Sequence, residues 1–236
     1  MPLDLQRHPE TAIAPGRTTR APYRKTHPFE GGRIDAGHAA YDACPTNGAV
    51  IDLGVPGWLL RTDALKLHEC AHFARGDVLE LGTYQGLSAL VMARAMEGAG
   101  RPGRVVTLEL SRDFARRARA NLEAAGLLGR VDIRVGDAAR ALAALGAEGR
   151  RFGFAFVDHS HAYGPMVAAC RALPPLLEPG ALVAFHDYND PRNTRRAEAG
   201  ESDDEYGVVA AVEDALDPGA FEFMGVYGAI GLFRRL

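Results

Sequence analysis

Val78-Leu79-Glu80-Leu81-Gly82-Thr83-Tyr84-Gln85-Gly86-Leu87-Ser88 joins a short apolar strand to the start of a helix through a turn bracketed by two glycines. Glycine at 82 and 86 lets the backbone turn tightly and approach a ligand, and the helix N-terminus that follows offers amide N–H groups to an anion. A dinucleotide fingerprint, G-x-G-x-x-G, needs glycine at position 84, where this chain has tyrosine. A carboxylate is therefore a better guest than a pyrophosphate. Glu80 is expected to place negative charge where a ligand amine or sulfonium can use it.

Outward from this stretch, short apolar runs with strand character alternate with longer runs of helical spacing. The expected strands are 77–81, 104–109, 131–135, 152–157, 181–185, 222–227 and 230–234. Helices are expected over 86–96, after an N-cap at Ser111 with Phe114, Ala118 and Leu122 on one face, from Pro165 to before Pro174, and over 208–216. Such alternation builds a parallel sheet covered on both faces. Only Gly228 and Ala229 separate the last two strands, too few residues for a parallel crossover, so these two form an antiparallel hairpin. The fold class expected is α/β, a doubly wound, mostly parallel seven-stranded sheet with a C-terminal antiparallel hairpin.

Ligands of such sheets sit beyond the carboxyl ends of the strands, near the switch point. Glu109 ends the second strand, where an acid accepts hydrogen bonds from ribose hydroxyls. Gly136-Asp137-Ala138 follows the third and puts a second acid at the rim, suited to an exocyclic adenine amine. Three such signals in consecutive loops and in this order point to an adenosyl ligand.

The chain of 236 residues is 47% hydrophobic and 24% charged, enough for one large domain with an extension. Its 27 basic against 30 acidic residues, a net charge of −3, argue against nucleic acid as a partner. Cys44, Cys70 and Cys170 form no disulfide or zinc pattern, which suggests a reducing, cytoplasmic compartment. No apolar run reaches the ~18 residues of a membrane span, and no apolar segment follows the basic residues near the N-terminus. Residues 1–57 hold seven of the 14 prolines and read as an extension, mobile at its tip over about 1–30. Its part from Tyr41 to Trp58 is a candidate lid or homo-oligomer contact, and residues 58–236 make up the domain proper.

These motifs resemble those of the class I S-adenosylmethionine-dependent methyltransferases, which have a Rossmann-like methyltransferase fold. The resemblance runs from about Val78 to Arg235 through E-x-G-x-x-x-G at Glu80, Gly82 and Gly86, the acids Glu109 and Asp137, and the terminal hairpin. It implies S-adenosyl-L-methionine held by Glu80, Gly82, Thr83, Tyr84, Gly86, Ser88, Glu109, Leu110, Asp137, Ala138 and Asp158. Within that superfamily, Phe156-Val157-Asp158-His159-Ser160-His161-Ala162-Tyr163 and Phe185-His186-Asp187-Tyr188 look like the branch of macrolide-sugar and small-molecule O-methyltransferases.

Asp158 ends one strand and His186-Asp187 its neighbour. Adjacent strand ends lie ~4.8 Å apart, so these side chains can converge on one ion or one substrate oxygen. Metal-dependent members of the family place Asp-Asp or Asp-Asn where this chain has His-Asp. The expected ligands of a divalent ion, Mg or Mn, are thus Asp158 and Asp187 with His186 as a third, and imidazole favours Mn, Fe, Ni or Zn over Mg. The Asp158-x-x-His161 spacing resembles that of the metal-dependent sugar methyltransferases, and this resemblance implies His161 as the base, beside His186 and Asp158, for removing a proton from a small hydroxylated substrate.

The polar run 189–206 is an expected substrate lid, and 46–62 with Trp58 an opposite wall, Trp58 being equally suited to anchor the core. His8, His27, His38, His68 and His72 are expected mostly at the surface. His68 and His72 share a helix face, but no third metal ligand is near them in sequence. Rival readings are an NAD(P)-dependent oxidoreductase and a non-catalytic cofactor-binding protein.

Overall fold

The computed structural model describes residues 4–8, 22–193 and 206–236. In chain order its elements are α1 (Ala36–Ala43), β1 (Thr46–Asn47), β2 (Val50–Ile51), α2 (Arg61–Phe73), β3 (Asp77–Leu81), α3 (Leu87–Gly98), β4 (Val105–Glu109), α4 (Arg112–Ala124), β5 (Val131–Val135), α5 (Ala138–Ala147), β6 (Phe152–Val157), α6 (Tyr163–Ala172), β7 (Leu177–Phe185), α7 (Val208–Ala215), β8 (Phe221–Tyr227) and β9 (Ile230–Arg235). Strands β3 to β9 form one sheet in the order β5-β4-β3-β6-β7-β9-β8. The first five of these pair in parallel, whereas β9 runs antiparallel to both β7 and β8. The expected α/β sheet and terminal hairpin are present.

The alternation within each strand divides the core between two faces. Val78, Phe154, Phe156, Leu182 and Ala184 pack under α2, α3 and α4, while Leu79, Leu81, Ala155, Val157 and Val183 pack under α5, α6 and α7. Local chemistry sets the helix starts. Ser111 accepts a hydrogen bond from the Phe114 amide to cap α4, and Asp137 accepts one from the Arg140 amide to cap α5.

Four expectations are corrected. Helix α6 begins at Tyr163, so Pro165 falls at its third position, where the amide it lacks would have no intrahelical partner. Strand β7 begins at Leu177, four residues early, because Leu177 pairs with Phe152 ahead of an irregularity in the register. Helices α2 and α5 lie outside the expected set. The first is buried on almost every side from Asp63 to Ala71, which erases an amphipathic stripe, and the second buries only Leu142 and Leu145.

The fourth correction concerns the histidines, since His27, His38 and His68 are buried rather than at the surface. His27 belongs to an anchor around Glu69, which is fully buried on α2. Glu69 accepts hydrogen bonds from the amides of Thr26 and His27, from the Tyr23 hydroxyl and from Lys66 Nζ at 2.6 Å. Lys66 in turn donates to the Arg24 carbonyl and the Thr26 hydroxyl. Residues 22–29, expected to be mobile, are thus tied to α2, and Tyr41, Cys44, Ile51 and Val55 join the core against α2 and α3.

Candidate active site

The strand order reverses between β3 and β6, and their carboxyl ends meet there with Leu81 paired to Val157 and Val157 to Phe185. The contact is close. A Cβ on Gly82, whose φ is +96°, would lie 1.9 Å from the Asp158 carbonyl oxygen. Gly86, at φ +91°, starts α3 in a left-handed conformation beside Ala118 of α4. The two glycines of the decisive stretch are therefore dictated by backbone shape and by space.

Beneath this turn lies a buried polar chain. Ser88 Oγ and Thr107 Oγ1 donate to the two carboxyl oxygens of Glu80, and Thr83 Oγ1 shares a hydrogen bond with Thr107 Oγ1. Burial pushes the Glu80 carboxyl up to about 8, against the two hydroxyl bonds that favour its charged form. Glu80 is wholly enclosed, so it does not offer the open negative charge expected of it. It ties the turn to α3 and β4 instead.

Glu109 caps the neighbouring loop. One carboxylate oxygen accepts from the Tyr84 amide at 2.7 Å and the other from the Ser111 amide at 2.8 Å. Tyr84 is held at φ +47°, and its ring lies between Phe114, with centroids 4.6 Å apart, and Trp58 at 6.0 Å. Trp58 and Leu110 are 74% and 75% exposed, so Trp58 does not anchor the core and both flank this rim. Asp137 is exposed beside half-buried Ala138, its carboxylate engaged as the α5 cap.

Across the switch point, four ionisable side chains converge. His161 Nε2 lies 3.4 Å from Asp158 Oδ1 and 3.1 Å from Asp187 Oδ2, and His186 Nδ1 lies 3.3 Å and 3.4 Å from the same two oxygens. Burial alone would raise Asp158, but His186 and His161 outweigh it and hold the carboxyl at about 2. Asp187 is driven further below the ordinary range by the same imidazoles, and its φ of +52° is a strained backbone that aims it into the cluster. Burial opposes protonation of His161, yet the two carboxylates lift it to about 9 and lift His186 well above its ordinary value.

The residues expected at the fourth and fifth strand ends do meet. Donor atoms of Asp158, His161 and Asp187 all lie within 4.8 Å of one another, and His186 Nδ1 approaches the same two carboxylate oxygens from the buried side. His186 is buried behind them, with Nε2 3.4 Å from Asp63 Oδ2. Nε2 of His161 and Nδ1 of His186 are buried without a hydrogen bond among the described residues, which suits a site that receives a cation.

One site residue escaped the sequence reading, and a second, at the end of the expected lid, had no role of its own assigned. Asp63 is fully buried, accepts hydrogen bonds from the amides of Leu60 and Ala229, and backs His186 across 123 residues of sequence. Gly228 makes this approach feasible, since a Cβ there would come within 2.0 Å of Asp63 Oδ1. An Asp three residues into α2 could have been noticed as a cap, but nothing local connects it to His186. Tyr206 is the other, stacked on the His161 ring at 4.4 Å and covered by the Arg192 guanidinium at 3.8 Å. Most of the expected lid, 194–205, lies outside the described residues.

Residues 79–188 match a methyltransferase-domain family. A catechol O-methyltransferase of Mycobacterium tuberculosis is 46% identical over 81 residues, 34% of each chain, and one of Niastella koreensis is 41% identical over 83 residues, 35% of this chain and 36% of its own. The matched segments thus span about a third of these curated relatives. Among solved structures, an O-methyltransferase from Bacillus cereus in complex with SAH superposes with a TM-score of 0.61 at 22% identity, covering 86% of this chain and 92% of its own. Cofactor-bound Rv0187 from MTB gives 0.58 at 27% identity, over 85% and 88%. The dinucleotide-oxidoreductase reading finds no support in these matches. With the glycine turn, the acid that follows it and the reversed terminal hairpin already in place, residues 79–188 are similar to a methyltransferase domain, and the chain has the fold of the O-methyltransferases on which it superposes.

Proposed function

We propose that this protein transfers a methyl group from S-adenosylmethionine to a hydroxyl of a small molecule, and that the substrate carries adjacent hydroxyls. The observation that carries this reading is the convergence of Asp158, His161 and Asp187 beside the Gly82 turn. Bound S-adenosylmethionine supplies an electrophilic methyl on a sulfonium. Gly82, Gly86 and Glu109 shape and hold its crevice, with Leu110, Asp137 and Ala138 at the adenine rim. The names of the catechol O-methyltransferase relatives support a vicinal diol.

His161 Nε2 accepts the hydroxyl proton, and Asp158 and Asp187 stabilise the imidazolium on both sides. A neighbouring sulfonium opposes that protonation and brings the base nearer neutrality. Asp63 fixes His186, and Tyr206 and Arg192 cover the His161 ring and limit water. The same donor set fits a divalent ion held by Asp158, His161 and Asp187, and one imidazole among carboxylates suits Mn or Zn better than Mg. Such an ion, when bound, would lower the pKa of the attacking hydroxyl.

We also assign the protein to the cytoplasm, with its three free, buried thiols as support. No helix among the described residues is long and apolar enough to cross a membrane. Residues 1–57 are read as a distinct extension whose end near Trp58 walls the crevice and is the surface for self-association, with small molecules rather than nucleic acid as the partners.

The test is a methyl-transfer assay on catechol-like substrates with His161→Ala. Loss of a positioned base costs about 10²- to 10⁴-fold in kcat, and S-adenosylhomocysteine affinity stays within a few-fold of wild type. Equal losses in both would reject the assignment. Chelator treatment that abolishes turnover, restored by Mn²⁺, assigns the position between these residues to an ion; insensitivity assigns it to the proton.

A further inference from the structure

A second convergence of ligating side chains lies at the other end of α2. Asp35, which caps α1, faces two histidines one helical turn apart. Its Oδ1 is 3.1 Å from His68 Nε2, and its Oδ2 is 3.4 Å from His72 Nδ1. Donors bound to one zinc ion at ~2.0–2.1 Å in tetrahedral geometry stand ~3.3 Å apart, the spacing found between Asp35 and each histidine, and the three ligand atoms all lie within 4.8 Å of one another.

The surroundings are those of a ligand set. His72 Nδ1 is buried with no hydrogen bond among the described residues, although it points at a carboxylate. The other nitrogen of His68, Nδ1, lies 3.4 Å from the Tyr41 hydroxyl, and the Ala95 carbonyl holds the His72 ring. Partners on the far side of each imidazole fix its orientation, as they do around bound metals. Two glycines clear the approach. A Cβ on Gly98 would come 2.7 Å from Asp35 Oδ2, and one on Gly37 would come 3.1 Å from the His68 ring.

We propose that Asp35, His68 and His72 bind a divalent transition metal, zinc by the match of two imidazoles and one carboxylate, with water as the fourth ligand. Partial exposure of the Asp35 and His72 side chains, 24% and 16%, leaves room for that water. The site is separate from the crevice, since His68 and His72 lie five and nine positions beyond Asp63 on α2, about 8 and 14 Å along a helix at ~1.5 Å per residue. Its effect is structural. The metal would pin the start of α1 to α2 beside the end of α3, in the region also tied down by Glu69.

The experiment is calorimetric titration of the full-length protein with Zn²⁺, first as Asp187→Asn, which disables the crevice donor set, and then with His72→Ala or Asp35→Asn added to that variant, with thermal unfolding in parallel. Asparagine can still cap α1 through its carbonyl oxygen, so Asp35→Asn removes the charge without removing the cap. One zinc equivalent that survives in Asp187→Asn, and weakens more than about tenfold when either His72→Ala or Asp35→Asn is added, supports the site. Zinc should also raise the Tm of Asp187→Asn and not that of the other two. Zinc binding unchanged by His72→Ala and Asp35→Asn, or abolished by Asp187→Asn, overturns it.

Discussion

Replacing Gly82 with alanine tests whether the tips of β3 and β6 are as tightly joined as the geometry indicates. Two costs add. A non-glycine residue at φ +96° enters left-handed backbone space, at ~1–2 kcal/mol. Its Cβ would sit 1.9 Å from the Asp158 carbonyl oxygen, 2.6 Å from its carbon and 2.9 Å from His159 Cα, all of them backbone atoms. Ordinary contact needs ~3.5 Å, so the loops must part by about 1.5 Å. Overpacking of this kind costs ~1–3 kcal/mol, for a total of about 2–5 kcal/mol. Because the displaced atoms carry Asp158, the loss should appear twice, as lower stability in urea and as methyl transfer slowed about 10²-fold, the penalty of a 1 Å misplacement. Urea denaturation and steady-state assays measure both. A variant with wild-type urea midpoint and turnover would refute the reasoning.

Glu69→Gln should destabilise the fold by about 3–5 kcal/mol in urea, because it leaves the Lys66 ammonium buried without its countercharge. Burial works against ionisation of Glu69, but Lys66 and His27 hold its carboxyl far below the ordinary range. Its contribution is therefore present above an unfolded pKa of about 4.3 and lost as pH falls through the folded value, so wild type and variant should converge in acid. Glu80 behaves oppositely. With its folded pKa raised to about 8, its contribution is present below the unfolded pKa and lost as pH rises through 8. Glu80→Gln should flatten the decline in Tm between pH 5 and 9, and an unchanged slope would show that Glu80 is ionised throughout.

The sheet was legible because its strands are short apolar runs between glycine turns and because two residues cannot span a parallel crossover. The same holds for Glu80, Gly82, Glu109, Asp158 and Asp187, each within two residues of a strand end. What stayed hidden depends on contacts between distant segments. Asp63 reaches His186, Asp35 reaches His68 and His72, and Glu69 fixes Thr26 and His27 only after α2 is laid across the sheet. Which of His161 and His186 is buried behind the carboxylates is decided by packing, and spacing along the chain carries no such information. Nor does it reveal that Glu80 is shut away beneath the turn by Ser88 and Thr107.

The central claim is that the carboxyl ends of β3, β4 and β6 bind an adenosyl sulfonium donor. Titration calorimetry of the wild-type protein and Glu109→Ala with S-adenosylhomocysteine, with NAD⁺ as the rival ligand, tests it most directly. The account predicts saturable one-to-one binding of S-adenosylhomocysteine, weakened at least about tenfold by loss of the two charge-assisted bonds at Glu109, and no saturable heat with NAD⁺. No saturation with S-adenosylhomocysteine, or indifference to Glu109→Ala, would contradict it.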